Sequence, residues 1–230
     1  MARSYFIAGT DTGVGKSFVA ASLLEAGNRL GLRTAALKPL AAGAEDGPEG
    51  PCNDDAVLLR RHASVAMSYA QVNPVLLQQP IAPHLAAAHE GRRLSAERLA
   101  GFCRGAMMTP SDLMLIEGAG GWRVPLNGRE MLSELPRQLA LPVILVVGMR
   151  LGCLNHALLT VEAIAADGLQ LAGWVANQVD PGMVCFDENL ATLTELIRAP
   201  LLAVMPYQPQ GDPVDAAQYF GDKVSQLLAN

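Results

Sequence analysis

The stretch Gly9-Thr10-Asp11-Thr12-Gly13-Val14-Gly15-Lys16-Ser17 follows directly on the apolar run Tyr5-Phe6-Ile7-Ala8. An apolar strand that leads into a glycine-rich turn ending in Gly-Lys-Ser is typical of a phosphate-binding loop, because backbone N–H groups at the start of the next helix bind the phosphates. In such a loop Lys16 reaches the β- and γ-phosphates and Ser17 offers its hydroxyl to magnesium. The usual spacing has glycine where this chain has Thr10, with Gly9 one residue earlier, so we expect a loop that is longer than average.

The composition is that of a globular chain with a modest negative charge. Its 230 residues are 50% hydrophobic and 17% charged, and we expect one domain over residues 1–230. The net charge of −5 disfavours binding to nucleic acid or to an anionic membrane. The longest apolar run, Leu141 to Met149, is too short to span a bilayer, and the N-terminus carries no signal-peptide core. The four cysteines are widely separated, which favours free thiols and predicts a cytoplasmic protein.

Short apolar runs alternate with helical patterns along the chain. After the loop a helix runs to Gly31, and the continuous apolar run Leu113 to Ile116 is typical of a strand buried on both faces. Further strands are predicted at Thr34 to Lys38, Pro142 to Gly148, Leu171 to Asn177 and Leu201 to Met205. Further helices are predicted from Asn53, at Ala82 to His89, from the cap Ser95 to Gly105, weakly at Met131 to Ala140, from the cap Asn155 to Asp167, at Glu188 to Ile197 and from Val214. The alternation predicts an α/β fold with a mostly parallel sheet and helices on both faces.

Three ionisable residues are expected near the phosphate loop. Glu117 ends a buried strand, where a phosphate-binding fold needs a carboxylate for magnesium. Asp55 follows Ala41 to Asn53, a segment without periodicity that predicts a mobile loop, and it is a second metal candidate while Asp54 caps the helix. Lys38 ends a strand, so its ammonium would hold an anionic substrate or a transferring phosphoryl group at the edge of the sheet. The alternatives are a solvated strand end, a helix cap and a surface lysine.

The remaining polar and aromatic candidates carry weaker signals. Asn177, at the end of a strand, would read the edge of a nucleotide base unless it only terminates the strand. The four histidines show no metal-binding spacing and are expected to be structural or exposed. Trp122 and Trp174 are interpreted as packing residues.

Six short motifs follow one another along the chain: residues 9–17, Lys38-Pro39, Asn53-Asp54-Asp55, Glu117-Gly118-Ala119-Gly120-Gly121-Trp122, Leu151-Gly152-Cys153-Leu154-Asn155-His156 and Ala172-Gly173-Trp174-Val175-Ala176-Asn177. Together they resemble the dethiobiotin synthetase family over essentially the whole chain. That family also has the longer phosphate loop, which explains Thr10. The resemblance implies a single-domain P-loop NTPase-like fold.

The resemblance implies a ligase that uses ATP and carbon dioxide or bicarbonate. Its substrate would be 7,8-diaminononanoate, also called 7,8-diaminopelargonic acid. One amine would form a carbamate, whose oxygen attacks the γ-phosphate of ATP to give a mixed carbamic-phosphoric anhydride. The second amine would then close a cyclic urea and expel phosphate. An anion that attacks a polyanion needs cations at the point of attack, which fits the two lysines.

The resemblance also implies roles for particular residues. Catalytic roles fall to Thr12, Lys16 and Lys38, and magnesium is held by Ser17, Asp55 and Glu117. ATP is contacted by Gly13, Val14, Gly15, Lys16, Ser17, Phe18, Glu117, Gly118, Asn177 and Pro206. The diamine is contacted by Lys38, by Ala42 and, from a second subunit of a homodimer, by Gly152, Cys153, Leu154 and Asn155. The chain departs from the family at Ala41-Ala42-Gly43, where a serine hydroxyl is expected near the substrate.

Two other classes share parts of this pattern. Switch-type ATPases of the partitioning or septum-positioning kind carry a signature lysine early in the loop, where this chain has Asp11, and often have a basic amphipathic tail. Here Lys223 is the one basic residue between Val214 and Asn230. An amidotransferase-linked synthetase domain would be followed by a glutaminase segment with a nucleophilic cysteine, which the sequence does not show.

Overall fold

The computed structural model describes residues 2–229 of the chain. Its strands are β1 (Arg3–Gly9), β2 (Thr34–Leu37), β3 (Leu40–Ala42), β4 (Glu45–Gly47), β5 (Gly50–Cys52), β6 (Val75–Leu77), β7 (Leu113–Glu117), β8 (Val143–Met149), β9 (Leu171–Gln178) and β10 (Leu201–Met205). Its helices are α1 (Lys16–Arg29), α2 (Asp54–His62), α3 (Tyr69–Val72), α4 (Pro83–His89), α5 (Ala96–Ala106), α6 (Glu134–Gln138), α7 (Cys153–Ala166), α8 (Phe186–Leu196), α9 (Pro213–Ala216) and α10 (Lys223–Ala229).

Six of the strands form one parallel sheet in the order β10-β9-β8-β1-β7-β2. Strand β1 lies inside the sheet, where Phe6 is paired with Ile116 of β7 on one side and with Val143 of β8 on the other. Parallel strands need crossover connections, which the helical segments between them provide. The predicted parallel α/β sheet is therefore confirmed, and the strand that leads into the phosphate loop has neighbours on both sides.

The side chains of β1 alternate between two apolar layers, one on each face of the sheet. Phe6 belongs to the same layer as Trp174, which is fully buried, whereas Ile7 belongs to the layer that contains Leu23 of α1. This alternation follows from the two-residue period of a strand. Both faces are apolar because helices cover both, as predicted.

The segment from Ala41 to Asn53 has regular structure where the sequence predicted an irregular loop. Strand β3 pairs in parallel with β6, and β4 and β5 form an antiparallel hairpin in which Glu45 is opposite Cys52. Strands of three residues are too short to show a period of two, so the sequence pattern could not reveal them. The prediction of an irregular segment was therefore wrong.

Three helix predictions differ in outcome. Ser95 caps α5 as predicted, since its side chain accepts a hydrogen bond from the N–H of Arg98. Helix α7 begins at Cys153 rather than after Asn155, because Gly152 adopts a φ of 93° at the cap position. The predicted helix from Val214 is broken into α9, a 3₁₀ turn at Ala217–Phe220 and α10.

The parallel arrangement brings one end of every strand of the main sheet to the same edge. The phosphate loop follows β1, Lys38 follows β2, and Glu117 is the last residue of β7. Ligands bind at this carboxyl edge in open α/β sheets. Among residues 2–229, no helix combines the length and the apolar character needed to cross a membrane.

Candidate functional site

The phosphate loop is held in shape by glycine geometry and by contacts with neighbouring strands. Gly15 precedes α1 with a φ of 83°, and a Cβ there would lie 2.3 Å from Nδ2 of Asn177. Both the left-handed backbone and the close contact require glycine. The Nζ of Lys16 donates a hydrogen bond to the carbonyl of Asp11 at 3.1 Å, so the side chain folds back across the loop.

Thr10 and Asp11 attach the loop to β8 and to the residues that follow it. The N–H of Thr10 donates to the carbonyl of Val146 at 3.0 Å, and its hydroxyl accepts from the N–H of Gly148 at 3.3 Å. Asp11 accepts from the N–H of Thr12 at 2.7 Å and forms an ion pair with Arg150. Thr10, which looked like a defect in the motif, therefore anchors the loop. The ion pair between Asp11 and Arg150 was not predicted.

Lys38, Asp55 and Glu117 form a cluster that we call the acidic edge. The Nζ of Lys38 lies 2.5 Å from Oε1 of Glu117 and 2.9 Å from Oδ2 of Asp55, and it also donates to the carbonyl of Gly118 at 3.1 Å. Ser17 of the phosphate loop donates its hydroxyl proton to the same Oε1 of Glu117 at 2.8 Å. The acidic edge and the phosphate loop are thus joined by a direct hydrogen bond.

The charges of the site are nearly balanced. Those of Lys16, Lys38 and Glu117 are deeply buried, whereas the side chain of Asp55 is 45% exposed. The chain has three lysines, and two of them, Lys16 and Lys38, lie here with exposed fractions of 6% and 3%. Burial is the main cause that lowers the pKa of Lys16 to about 8, although nearby Glu117 opposes the shift. Burial also acts to lower the pKa of Lys38, but Glu117 and Asp55 outweigh it and hold that pKa above its ordinary value.

The pKa of Asp55 moves in the opposite direction to that of Lys38. Burial acts to raise it, but the ammonium of Lys38, with a smaller contribution from the charge of Lys16, holds it below its ordinary value. Both partners of this pair are therefore charged at neutral pH. A lysine between two carboxylates is the arrangement expected when a buried charge is compensated.

The oxygen donors of the acidic edge fit a magnesium ion. Oε2 of Glu117 is buried and has no hydrogen-bond partner among the described residues. Carboxylate and hydroxyl oxygens are the ligands that a hard divalent cation prefers. Within residues 2–229, no group of three or more His, Cys, Asp or Glu side chains is placed to hold a metal. Glu117, Asp55 and the hydroxyl of Ser17 would therefore need phosphate oxygens to complete a coordination sphere.

A cavity of about 850 Å³ opens beside these groups. The predicted site residues that line it are Thr12, Gly13, Gly15, Lys16, Ser17, Phe18, Lys38, Ala42 and Asp55. A second cavity of about 760 Å³ lies at the opposite edge of the sheet, beside Arg3, Pro142 and Leu171. The two differ little in size, but the first is the one lined by the phosphate loop and by Lys38 and Asp55 of the acidic edge, whereas Glu117 is not among its wall residues. We therefore place the functional site there.

Other predicted residues lie outside the walls of this cavity. Val14 is buried, and its carbonyl accepts a hydrogen bond from Nδ2 of Asn177 at 2.9 Å. Pro206 follows β10 at the same edge of the sheet, and the turn 152–155 begins α7. The structure thus brings the catalytic and metal candidates close together within a single subunit. It places Asn177 against the back of the phosphate loop.

Arg123 is a wall residue of the cavity that the sequence analysis missed. Its guanidinium makes two hydrogen bonds to the carboxylate of Asp167, at 2.6 Å and 3.1 Å, and a third to Oγ of Ser133 at 3.0 Å. Its neighbour Trp122 donates to Asp167 and packs edge-on against Phe6, which confirms the interpretation of Trp122 as a packing residue. The adjacent motif Glu117 to Trp122 was a signal for this loop, but not for Arg123.

These features define a class of protein: a P-loop nucleotide-binding protein with an α/β fold. The chain matches the family described as an AAA domain over residues 3–215. The septum site-determining protein MinD of Pyrococcus horikoshii, solved in complex with Mg-ADP, is similar with a TM-score of 0.58 at 18% identity, over 97% of each chain. At this identity the similarity shows the fold alone.

Curated relatives define the family more closely. The chain is 54% identical to the ATP-dependent dethiobiotin synthetase BioD of Pseudomonas aeruginosa strain UCBPP-PA14, over 94% of this chain and 95% of that protein. It is 55% identical to the protein of the same name from Cellvibrio japonicus strain Ueda107, over 89% of each chain. The chain belongs to the dethiobiotin synthetase family. The family predicted from the motifs is confirmed, and the switch-type ATPase is not favoured.

Proposed function

We propose that the protein is a ligase that closes the cyclic urea of dethiobiotin on 7,8-diaminononanoate, with ATP and carbon dioxide as co-substrates. The observation that carries the proposal is that Lys16, Lys38 and Asp55 line one cavity beside the phosphate loop, with Glu117 paired to Lys38. The similarity to relatives named dethiobiotin synthetase supports the same reaction.

The reaction proceeds in three steps. One amine of the substrate adds to carbon dioxide and loses a proton to give a carbamate. A carbamate oxygen attacks the γ-phosphate of ATP, and ADP leaves with the electrons of the broken P–O bond. The second amine then attacks the carbamoyl carbon of the mixed anhydride and loses a proton, which closes the five-membered ring as the C–O bond to phosphate breaks and inorganic phosphate leaves.

The two lysines and Thr12 act on the negative charge of these steps. Lys16, with a pKa of about 8, carries its charge at neutral pH and moves from the carbonyl of Asp11 to the γ-phosphate and the carbamate oxygen. Lys38 turns its ammonium from the acidic edge toward the same oxygens. Thr12 adds its hydroxyl from the wall of the cavity. Buried cations are effective here because the low dielectric strengthens their interaction with developing charge.

Magnesium is a second part of the proposal, with Ser17, Asp55 and Glu117 as its protein ligands. When bound it neutralises charge on the β- and γ-phosphates and so favours attack by an anion. The unpartnered Oε2 of Glu117 supports this assignment. The N–H groups and side chains from Gly13 to Phe18, together with Gly118, bind the phosphates and sugar, whereas Asn177 and Pro206 bind the adenine.

The third part of the proposal is that the protein forms a homodimer with the active site at the interface. The turn 152–155 would bind the distant carboxylate of the substrate in the cavity of the other subunit, through N–H groups at the start of α7. Leu151 beside this turn is 95% exposed and Leu159 of α7 is 56% exposed, and contact with a second subunit would cover both. A monomer in light scattering at micromolar concentration would exclude this part.

A single domain over residues 1–230 and a cytoplasmic location complete the proposal. All four cysteines, Cys52, Cys103, Cys153 and Cys185, are free thiols, which suits a reducing compartment.

The deciding experiment follows labelled bicarbonate. We expect the purified protein to hydrolyse ATP when both the diamine and bicarbonate are present, and the label to appear in a cyclic urea identified by mass spectrometry. Robust ATP hydrolysis without the diamine, with no label in any product, would exclude the synthetase.

A further inference from the structure

Strand β2, which ends next to Lys38, is an edge strand of the sheet. Within residues 2–229 it pairs with β7 alone in the main sheet, so no neighbouring strand there fixes the chain on its other side. Lys38 nevertheless has to hold its ammonium between Asp55 of α2 and Glu117 of β7. Some other part of the chain must set the position of its backbone.

The last residue of α3 and the residue that follows it supply that support. The N–H of Lys38 donates to the carbonyl of Val72 at 2.8 Å, and the carbonyl of Lys38 accepts from Nδ2 of Asn73 at 2.6 Å. Asn73 is 4% exposed, and Nδ2 also lies 3.4 Å from the carbonyl of Val75. Two carbonyl partners fix which side of the amide carries the NH₂ group.

Tyr69 connects Asn73 to the helix that carries Asp55. Its hydroxyl donates to Oδ1 of Asn73 at 2.9 Å and accepts from the backbone N–H of Asn53 at 2.8 Å. Asn53 is the cap residue of α2, and Asp55 lies in the first turn of that helix. The contacts form a closed ring that runs from the carbonyl of Lys38 through Asn73, Tyr69, Asn53 and Asp55 back to the ammonium of Lys38.

Local sequence builds this bridge from a helix of a single turn. Tyr69 is the first residue of α3 and Asn73 is its C-terminal cap four residues later, which places them on the same side of the turn. Ser68 and Gln71 form a capping box that stabilises so short a helix. The ring of Tyr69 also packs against the apolar layer that contains Trp174. The bridge is therefore anchored independently of the residues that it holds.

We propose that Tyr69 and Asn73 are positioning residues for catalysis, which hold the backbone of Lys38 at a fixed distance from the start of α2. The proposal rests on the proposed role of Lys38 in the dethiobiotin reaction. Misplacement of a catalytic group by about 1 Å costs up to about 10²-fold in rate, so a bridge of this kind has a measurable effect.

The test is the substitution Tyr69→Phe, which removes the hydroxyl and keeps the ring. We expect the kcat for dethiobiotin formation to fall about tenfold, while the KM for ATP changes less than twofold because the phosphate loop is untouched. Adding Tyr69→Phe to a Lys38→Met variant should change the residual rate by less than twofold, because the bridge acts through Lys38.

Tyr5→Phe is the matched control. Tyr5 also donates its hydroxyl proton to a buried partner, the carbonyl of Leu227 at 2.7 Å, but at the opposite edge of the sheet. We expect both variants to lower the Tm by about 2–8 °C, and only Tyr69→Phe to lower kcat. Equal losses of kcat in the two variants, or an unchanged kcat in Tyr69→Phe, would overturn the proposal.

A spectroscopic readout separates this proposal from the proposed function. Because the chain has three lysines, ¹⁵N-lysine labelling gives few side-chain ammonium signals, and Lys38→Met identifies that of Lys38. Tyr69→Phe should shift or broaden this signal and Tyr5→Phe should not. A Lys38 signal that Tyr69→Phe leaves unchanged would refute the bridge even if the protein makes dethiobiotin. Failure to make dethiobiotin with a shifted signal would refute the proposed function instead.

Discussion

The phosphate loop and the acidic edge lie side by side but are built in different ways. The loop is shaped by its backbone: Gly15 has a left-handed φ, and the loop is tied to β8 through Thr10. The acidic edge is built from side chains of three distant segments, joined at Lys38. A loop made of backbone N–H groups suits an anion, whereas a pair of carboxylates suits a cation.

The two lysines show the consequence of this difference. Lys16 has a lowered pKa because it is buried with little compensation, and Lys38 has a raised pKa because two carboxylates outweigh its burial. Lys16 can therefore bind a phosphate without first breaking an ion pair. Lys38 must break its ion pair with a carboxylate before it can bind a substrate anion. Four predictions test this contrast.

The largest effect is expected from removing Lys38. In Lys38→Met, kcat for dethiobiotin should fall about 10²–10³-fold, because the cation that stabilises the carbamate and phosphoryl oxygens is lost. The free energy of unfolding should also fall by about 3–5 kcal/mol, because Glu117 is left without its partner. Adding Glu117→Gln should restore stability in urea unfolding but not turnover. Near-normal turnover in Lys38→Met would mean that Lys38 serves structure alone.

Ser17 is the direct link between the two regions. In Ser17→Ala, the magnesium concentration needed for half-maximal turnover should rise about 10–100-fold, because a ligand hydroxyl is lost and Glu117 is no longer held by it. Ser17→Thr keeps the hydroxyl and should stay close to the unaltered protein. Calorimetric titration of magnesium into the protein with ADP checks this. Equal magnesium affinity in the alanine and threonine variants would argue against a metal at this position.

The lowered pKa of Lys16 predicts a pH dependence for nucleotide binding. Below about pH 8 the ammonium is charged and attracts phosphate, and above that value the folded protein has lost the proton. Affinity for ADP should therefore fall by up to about tenfold between pH 7 and pH 9, with proton uptake on binding. Calorimetry in two buffers of different ionisation enthalpy measures that uptake. Lys16→Met should bind more weakly and without this pH dependence; the same pH profile in that variant would assign the effect to another group.

The lowered pKa of Lys16 also affects the stability of the nucleotide-free protein. The stability changes with pH in the direction opposite to the affinity for ADP. The unfolded chain keeps the lysine proton up to its ordinary pKa of 10.5, whereas the folded chain loses it at about 8. Between these values the unfolded state binds more protons, so this lysine makes the folded state more stable as pH rises.

The smallest effect is expected at Ala42, which lines the cavity beyond the acidic edge. Ala42→Ser adds the hydroxyl that the family pattern has near the substrate, and one net hydrogen bond predicts a KM for the diamine about 2–5-fold lower. Ala44→Ser, on the same segment but not on the cavity wall, is the control. A similar change in both variants would show that the hydroxyl acts on the segment and not on the substrate.

Much of the site could be predicted because its signals are local or follow from the sheet. The Gly-Lys-Ser sequence defines the phosphate loop by itself. Glu117 and Lys38 were placed correctly because both end or follow apolar runs, and parallel strands present their carboxyl ends at one edge. The hairpin at Glu45 to Cys52 was missed because its strands are too short to show periodicity.

The sequence by itself determined the six strands of the main sheet and most of the helices between them, the phosphate loop and the family, since each depends on residues close together in the chain. The tertiary structure alone decided that Lys38 lies in a buried ion pair, that Asp11 pairs with Arg150, and that Tyr69 and Asn73 hold the acidic edge together. The physical reason is that these contacts join segments that are remote in sequence. Their distances are set by the packing of helices on the sheet, and no short pattern of residue types encodes them.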